Sequence, residues 1–405
     1  MSILSGKRII LGVTGSIAAY KAADLASKLM QAGAQVDVIL TDAAEKFITP
    51  LTFQSVTGRR AYIASDLWGN EAHVLHVGLG HNTDLLIIAP CTANTIAKLA
   101  HGQSDSLLTV TALASTAPLI IAPAMDGGMY EHPALLENLD TLRKRGANII
   151  EPSEGHLASG LIGKGRLPET NELIGHIRLT LRVGRRGLFA NKKVVITAGG
   201  TQEPLDPVRV LTNHSSGKQG YALAQAALDE GANVTLITTP TSLIPPIGAN
   251  IIHVETAKQM LEAVLKESYQ SDALIMAAAV ADFRPKNTAK NKIKKEGGIP
   301  QIELEATEDI LKAVSTSGLA AKRPHVIAGF AAESQNLLQN ASNKLQSKKV
   351  DLIAANDISA ADAGFAVDTN RLTLLFADGR QESLSLMSKS EAAEIIIARI
   401  AALLE

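Results

Sequence analysis

The chain has 405 residues, a formal net charge of −1 and a sequence pI near 6.8. That length fits two or three domains, and that balance offers no global attraction for nucleic acid or anionic membrane. The single cysteine, Cys91, excludes an intrachain disulfide and fits a reducing cytoplasm. The first residues carry no secretory pattern, and no apolar run is long enough for a membrane span, so a soluble cytoplasmic protein is expected.

Residues 8–13 (RIILGV) read as a buried strand, 17–31 as an amphipathic helix and 35–40 (QVDVIL) as a second strand. This β-α-β order predicts a right-handed crossover and a parallel sheet. The connecting Thr14-Gly15-Ser16 lacks a full G-x-G-x-x-G and suits the single phosphate of a mononucleotide such as FMN better than a dinucleotide. Further strands are expected at 84–89 and 119–122. After the first of these, Thr92, Asn94 and Thr95 cluster where a helix opens. They are either caps or holders of a flavin at the carboxyl ends of strands. The glycine-rich stretch 155–165 fits a mobile lid.

Residues 181–190 are basic and glycine-containing and read as a linker between domains at 1–180 and 191–405. Beyond it the β-α-β pattern restarts. A strand at 194–197 runs into Gly199-Gly200, and a polar loop with Asn213, His214, Ser215 and Ser216 reaches a helix over 217–230. Small hydroxyl residues before a helix start are either a cap or an anion site. Strands are expected at 233–238, 272–278, 326–330 and 351–354, then a hairpin through Ala377-Asp378-Gly379 and a closing helix. The fold class is therefore α/β, with two doubly wound, mostly parallel sheets.

Several long motifs agree in order with one family. TGSIAAYK (14–21), FITPLTFQSVTG (47–58), APCTANTIAK (89–98) and PAMDGGMY (123–130) resemble the flavin-dependent cysteine decarboxylases. DPVR (206–209), TNHSSG (212–217), AAAVAD (277–282), KIKK (292–295), GFAAE (329–333) and AND (355–357) extend the likeness through the second half. The whole chain resembles the bifunctional coenzyme A biosynthesis flavoproteins. In these a phosphopantothenoylcysteine decarboxylase precedes a phosphopantothenate–cysteine ligase. The resemblance implies a flavodoxin-like flavin domain and a Rossmann-like ligase domain. It implies FMN near Gly15, Ser16, Thr41, Thr92, Asn94 and Thr95, with His76, rather than His73 or His81, acting in the decarboxylase. It further implies CTP and Mg²⁺, an acyl-cytidylate held by Asn213 and assisted by Lys292, and attack by the amine of cysteine. Ser215, Ser216, Gly217, Ala279, Asp282, Phe330, Lys344 and Lys348 complete the expected CTP site. A homo-oligomer follows from the same likeness, a dodecamer built of flavin-domain trimers and ligase-domain dimers.

Two positions depart from the family pattern. Asp126 stands where asparagine is usual, and Ser159 stands where many members carry the cysteine of a flap that donates a proton late in the reaction. An ionised carboxylate accepts hydrogen bonds but cannot donate them to a substrate carboxylate, and a serine is a far weaker acid than a thiol. The departures leave a second reading, a working ligase joined to a flavin domain that is inactive or acts on another thiol.

Overall fold

The computed structural model describes residues 2–68, 74–295, 300–316, 323–333, 335–357 and 367–405. His73 lies outside them. The chain forms two compact units, residues 2–183 and 184–405.

The first unit is built on strands β1 (Arg8–Val13), β2 (Gln35–Leu40), β3 (Ala61–Tyr62), β4 (Leu85–Cys91), β5 (Leu119–Pro123) and β6 (Asn148–Ile149). They form one sheet in the order β3-β2-β1-β4-β5-β6, parallel throughout. Strands buried on both faces need apolar side chains at nearly every position, as in β1 and β4, whereas β2 opens with half-buried Gln35 and Asp37. On one face Leu11, Val38 and Ile87 pack with Leu25 and Ile177 of helices Ala19–Gln31 and Thr170–Arg182. On the other, Ile10, Ile39 and Ile88 meet Leu108 and Leu139 of helices Leu107–Ala114 and Pro133–Lys144. A separate antiparallel hairpin, β7 (Ser153–His156) with β8 (Ile162–Arg166), stands off the sheet.

The second unit contains β9 (Lys193–Ala198), β10 (Gln202–Asp206), β11 (Arg209–Thr212), β12 (Asn233–Thr238), β13 (Asn250–His253), β14 (Ala273–Met276), β15 (Phe283–Pro285), β16 (Leu304–Ala306), β17 (Val326–Glu333), β18 (Leu352–Asp357), β19 (Thr369–Asn370), β20 (Leu372–Phe376) and β21 (Gln381–Ser383). Its main sheet runs β13-β12-β9-β14-β17-β18-β20-β21. It is parallel as far as β18 and antiparallel over the last two strands. Gly379, in the left-handed region, makes the turn between those two. Both faces are again apolar: Val194, Ile196 and Leu236 face Leu223 and Ile396, while Val195, Ile237 and Leu274 face Met260 and Leu345.

Several boundaries move by one to three residues from the sequence reading, because hydrogen bonding and not apolarity ends an element. The strand read at 84–89 runs on to Cys91, and that read at 326–330 continues to Glu333. The helix read from residue 217 starts at Lys218, with Gly217 as its left-handed cap.

Candidate functional sites

In the first unit the site lies at the carboxyl ends of β1, β2 and β4. The strand order reverses between β1 and β4, and open parallel sheets bind ligands at such a switch point. Thr14, buried, ties the two strand ends together: its hydroxyl donates to Pro90 O (2.8 Å) and accepts from Thr92 N–H (3.0 Å). A Cβ on Gly15 would overlap the Cβ of Ala43, so only glycine lets this turn sit against the end of β2. Thr41 and Thr92 each cap the helix that follows, accepting from Ala44 N–H (3.3 Å) and Thr95 N–H (3.5 Å). Thr95 is 4% exposed and its hydroxyl lies 3.3 Å from that of Thr92. It braces the turn through Thr92. Asn94 is exposed and its side chain makes no hydrogen bond among the described residues. This crevice of hydroxyl, amide and backbone donors at three strand ends fits a flavin phosphate.

Ser16 also lines a cavity of about 490 Å³ with Tyr20, Lys21, Asp126, His156 and Ser159. The hairpin β7–β8 forms its far wall, pinned by a bond from Met125 N–H to Gly165 O (3.0 Å). Asp126 accepts from Gly128 N–H through Oδ1 (3.1 Å) and from the Ser159 hydroxyl through Oδ2 (2.6 Å). Lys21 is held by Glu169 at 2.7 Å, and that carboxyl lies below its usual range chiefly because of this bond. Cys91 is fully buried, which pushes its thiol far up, so it cannot replace the missing flap thiol as a ready donor. His76 does not line this cavity. It sits in the first turn of helix Leu75–His81.

In the second unit the site centres on the turn after β9. Gly199 has φ +87°, and a Cβ there would strike the hydroxyl of Thr239. Among the described residues that buried hydroxyl has no hydrogen-bond partner, an orphaned donor beside the turn. Ala279 lies against the turn, its N–H donating to Gly199 O (2.8 Å) and its C=O accepting from Thr201 N–H (3.2 Å). The Ala279 N–H is therefore engaged within the turn. Asn213 donates to Val280 O (3.1 Å), and the Ser215 hydroxyl accepts from Gly217 N–H (3.4 Å). Asp282 is exposed, and its carboxylate makes no hydrogen bond among the described residues. Ser215 and Ser216, Asn213 and the 279–282 segment thus converge on one crevice.

The expected lysines stand elsewhere. Lys344 donates to Phe330 O (2.8 Å), and Lys348 pairs with Asp309. Burial of the Asp309 carboxyl opposes its ionisation, yet Lys348, the Lys312 N–H and Lys344 together hold it below the usual range. Both lysines bond protein acceptors in this state. Lys292 is exposed and no hydrogen bond joins it to Asn213 or to 215–217 among the described residues. Its loop is fixed from below by Asp206, which sequence reasoning quoted only as part of a motif. Asp206 is 2% exposed and accepts from Val208 N–H (2.9 Å), Ile293 N–H (3.0 Å) and Arg209 (2.7 Å). Arg209 also donates to Ile293 O (3.1 Å). Burial resists the Asp206 charge, but the N–H groups of Val208 and Ile293 and the guanidinium outweigh it and keep the carboxyl below its usual range. Among the described residues no group of three or more His, Cys, Asp or Glu could hold a metal ion, and no helix is long and apolar enough to cross a membrane.

Two family descriptions match, "Flavoprotein" over residues 2–182 and "DNA/pantothenate metabolism flavoprotein C-terminal domain" over 189–404. The "Coenzyme A biosynthesis bifunctional protein CoaBC" of Bacillus subtilis (strain 168) is 46% identical over 402 residues, 99% of this chain and 98% of its own. The protein of the same name from Vibrio cholerae is 43% identical over 397 residues, 98% of each chain. A crystal structure of the C-terminal domain of such a protein is 39% identical, covers 54% of this chain and 98% of its own, and has a TM-score of 0.46. Full-length identity at this level, carried through both halves in register, means that the chain belongs to the family of bifunctional coenzyme A biosynthesis flavoproteins.

Proposed function

We propose that the chain joins 4′-phosphopantothenate to L-cysteine in its second unit and decarboxylates the product to 4′-phosphopantetheine in its first. The observation that carries this reading is likeness to bifunctional relatives over 99% of the chain, with a close-packed glycine turn at a strand end in each unit.

In the second unit CTP supplies the activating group, and the carboxylate of phosphopantothenate becomes an acyl-cytidylate with loss of pyrophosphate. Ser215, Ser216 and Gly217 hold phosphate at the helix start. Asn213 orients the acyl-cytidylate without adding charge. Lys292 meets the charge that builds on the phosphate oxygens. Asp282 and the C=O of Ala279 face the base, beside Phe330. Lys344 and Lys348 reach the triphosphate by exchanging Phe330 O and Asp309 for phosphate oxygens. Mg²⁺ is held mainly by the triphosphate and water, as hard cations with few protein ligands are.

In the first unit Gly15, Ser16, Thr41, Thr92 and Asn94 hold FMN, with Thr95 bracing Thr92. When bound, the flavin takes two electrons from the thiol end of the substrate and later returns them, which makes the carboxylate a leaving group. The chain's own part is to position that carboxylate at Asp126, close the β7–β8 flap against water and supply a proton. His76 contributes from another copy in a homo-oligomer. The exposed apolar side chains of Ile17, Tyr20, Phe47, Leu51 and Trp68 on this unit support such an assembly. The cell compartment is the cytoplasm.

The test is a product assay on intact protein given FMN, Mg²⁺, CTP, 4′-phosphopantothenate and cysteine, with mass detection. Formation of 4′-phosphopantetheine is expected. A stop at phosphopantothenoylcysteine would leave the ligase and discard the decarboxylase. Absence of any CTP-dependent product would discard both.

A further inference from the structure

The two positions where this sequence departs from its family meet in the fold. Asp126 and Ser159, 33 residues apart, share a 2.6 Å hydrogen bond across the cavity mouth. In the usual pattern an amide at the first position can donate to a substrate carboxylate, and a thiol at the second can donate a proton. Here the first residue brings an acid and the second a hydroxyl that touches it.

Other charged groups surround that acid. Lys21 and Arg166 line the same space and share one counter-charge, Glu169, at 2.7 and 3.6 Å. Lys164, on the strand behind, faces Glu151 at 3.5 Å. His156 and Tyr20 are the remaining titratable groups of the lining. A substrate carboxylate brought to Asp126 therefore meets a second carboxylate. Two such groups at hydrogen-bond distance cannot both stay ionised, and they share one proton.

We propose that Asp126 takes up a proton as the substrate carboxylate docks and then delivers it, through Ser159, to the carbon that CO₂ leaves. This rests on the decarboxylase reading given above. When the C–C bond breaks, its electron pair stays on the substrate fragment. The Ser159 Oγ–H bond breaks as a C–H bond forms with that pair, and the Asp126 proton passes to Oγ. Asp126 is left as a carboxylate, and one proton has entered from solvent for each CO₂ released, as the overall change requires. The departing carboxylate thus loads the acid that replaces it, and a weakly acidic serine suffices because it only relays.

The experiment uses FMN-loaded full-length protein and 4′-phosphopantothenoylcysteine, with products followed by mass and the flavin by absorbance. Ser159 is exposed, so its variants leave the fold intact. In Asp126→Asn and in Ser159→Ala, CO₂ is still released, but the saturated thiol falls about a hundredfold. A species lighter by two hydrogens accumulates, and the flavin stays bleached. The double variant Asp126→Asn with Ser159→Cys restores the saturated thiol. Calorimetry in two buffers of different ionisation enthalpy finds about one proton taken up on binding by the parent protein and none by Asp126→Asn. Saturated thiol from Asp126→Asn at the parent rate, or binding without proton uptake, overturns the proposal. A parent protein that releases no CO₂ overturns the functional reading together with it, whereas full turnover by every variant overturns the proposal alone.

Discussion

The two units solve one problem, fixing a loop or hairpin beside strand-end residues, in opposite ways. In the first, the β7–β8 flap meets the cavity through a side-chain bond between exposed Ser159 and half-buried Asp126. In the second, the loop carrying Lys292 is fixed by Asp206, a buried carboxylate that gathers two N–H groups and a guanidinium. A single exposed hydrogen bond contributes about 1 kcal/mol and is replaceable by water. A buried charge-assisted network is not, because removing one partner strands the others. The first contact is therefore easily exchanged, and the second is not.

That contrast can be broken at the lysine itself. Lys292→Gln should lower CTP-dependent ligation by about a hundredfold or more while leaving decarboxylation of supplied phosphopantothenoylcysteine unchanged. Parallel assays of the two half-reactions check it, and equal losses in both would mean that the units do not work separately. At the turn, Gly199→Ala places a Cβ against Thr239 at a positive φ and should cost the second unit about 2 kcal/mol. Calorimetry should find that unit's transition lowered by roughly 4–8 °C, with the first unit's unmoved.

Asp206→Asn sharpens the comparison. It keeps the shape but halves the acceptors, and it should lower ligase kcat about tenfold with KM for CTP little changed. The pH signature follows from the sign of the shift. The folded carboxyl lies below its ordinary 3.8, so its contribution is complete above 3.8 and is lost as pH falls through the folded value. Acid unfolding of the second unit should therefore be less pH-dependent in the variant in that window. The smallest effect concerns the last helix, Lys389–Ala402. Ser388 closes a capping box there with Glu391, and Ser388→Ala should cost about 1 kcal/mol by denaturant melting, with both activities intact.

Much of this protein is legible in the sequence. β-rich runs such as 8–13 and 233–238 read as strands, and their alternation with helices predicted parallel sheets. Gly199 and Gly200 marked a turn, and Asp126 and Ser159 stood out as departures, because such features are local. What the sequence could not hold is which distant groups touch. Only the tertiary structure puts Ser159 on Asp126, seats the Lys292 loop on Asp206, spends the Ala279 N–H on Gly199 and keeps His76 out of the cavity of its own chain. The reason is physical. Periodicity and turn chemistry act between near neighbours along the chain. Hydrogen-bond partners far apart in sequence are chosen by sheet order and loop packing, which no short stretch encodes.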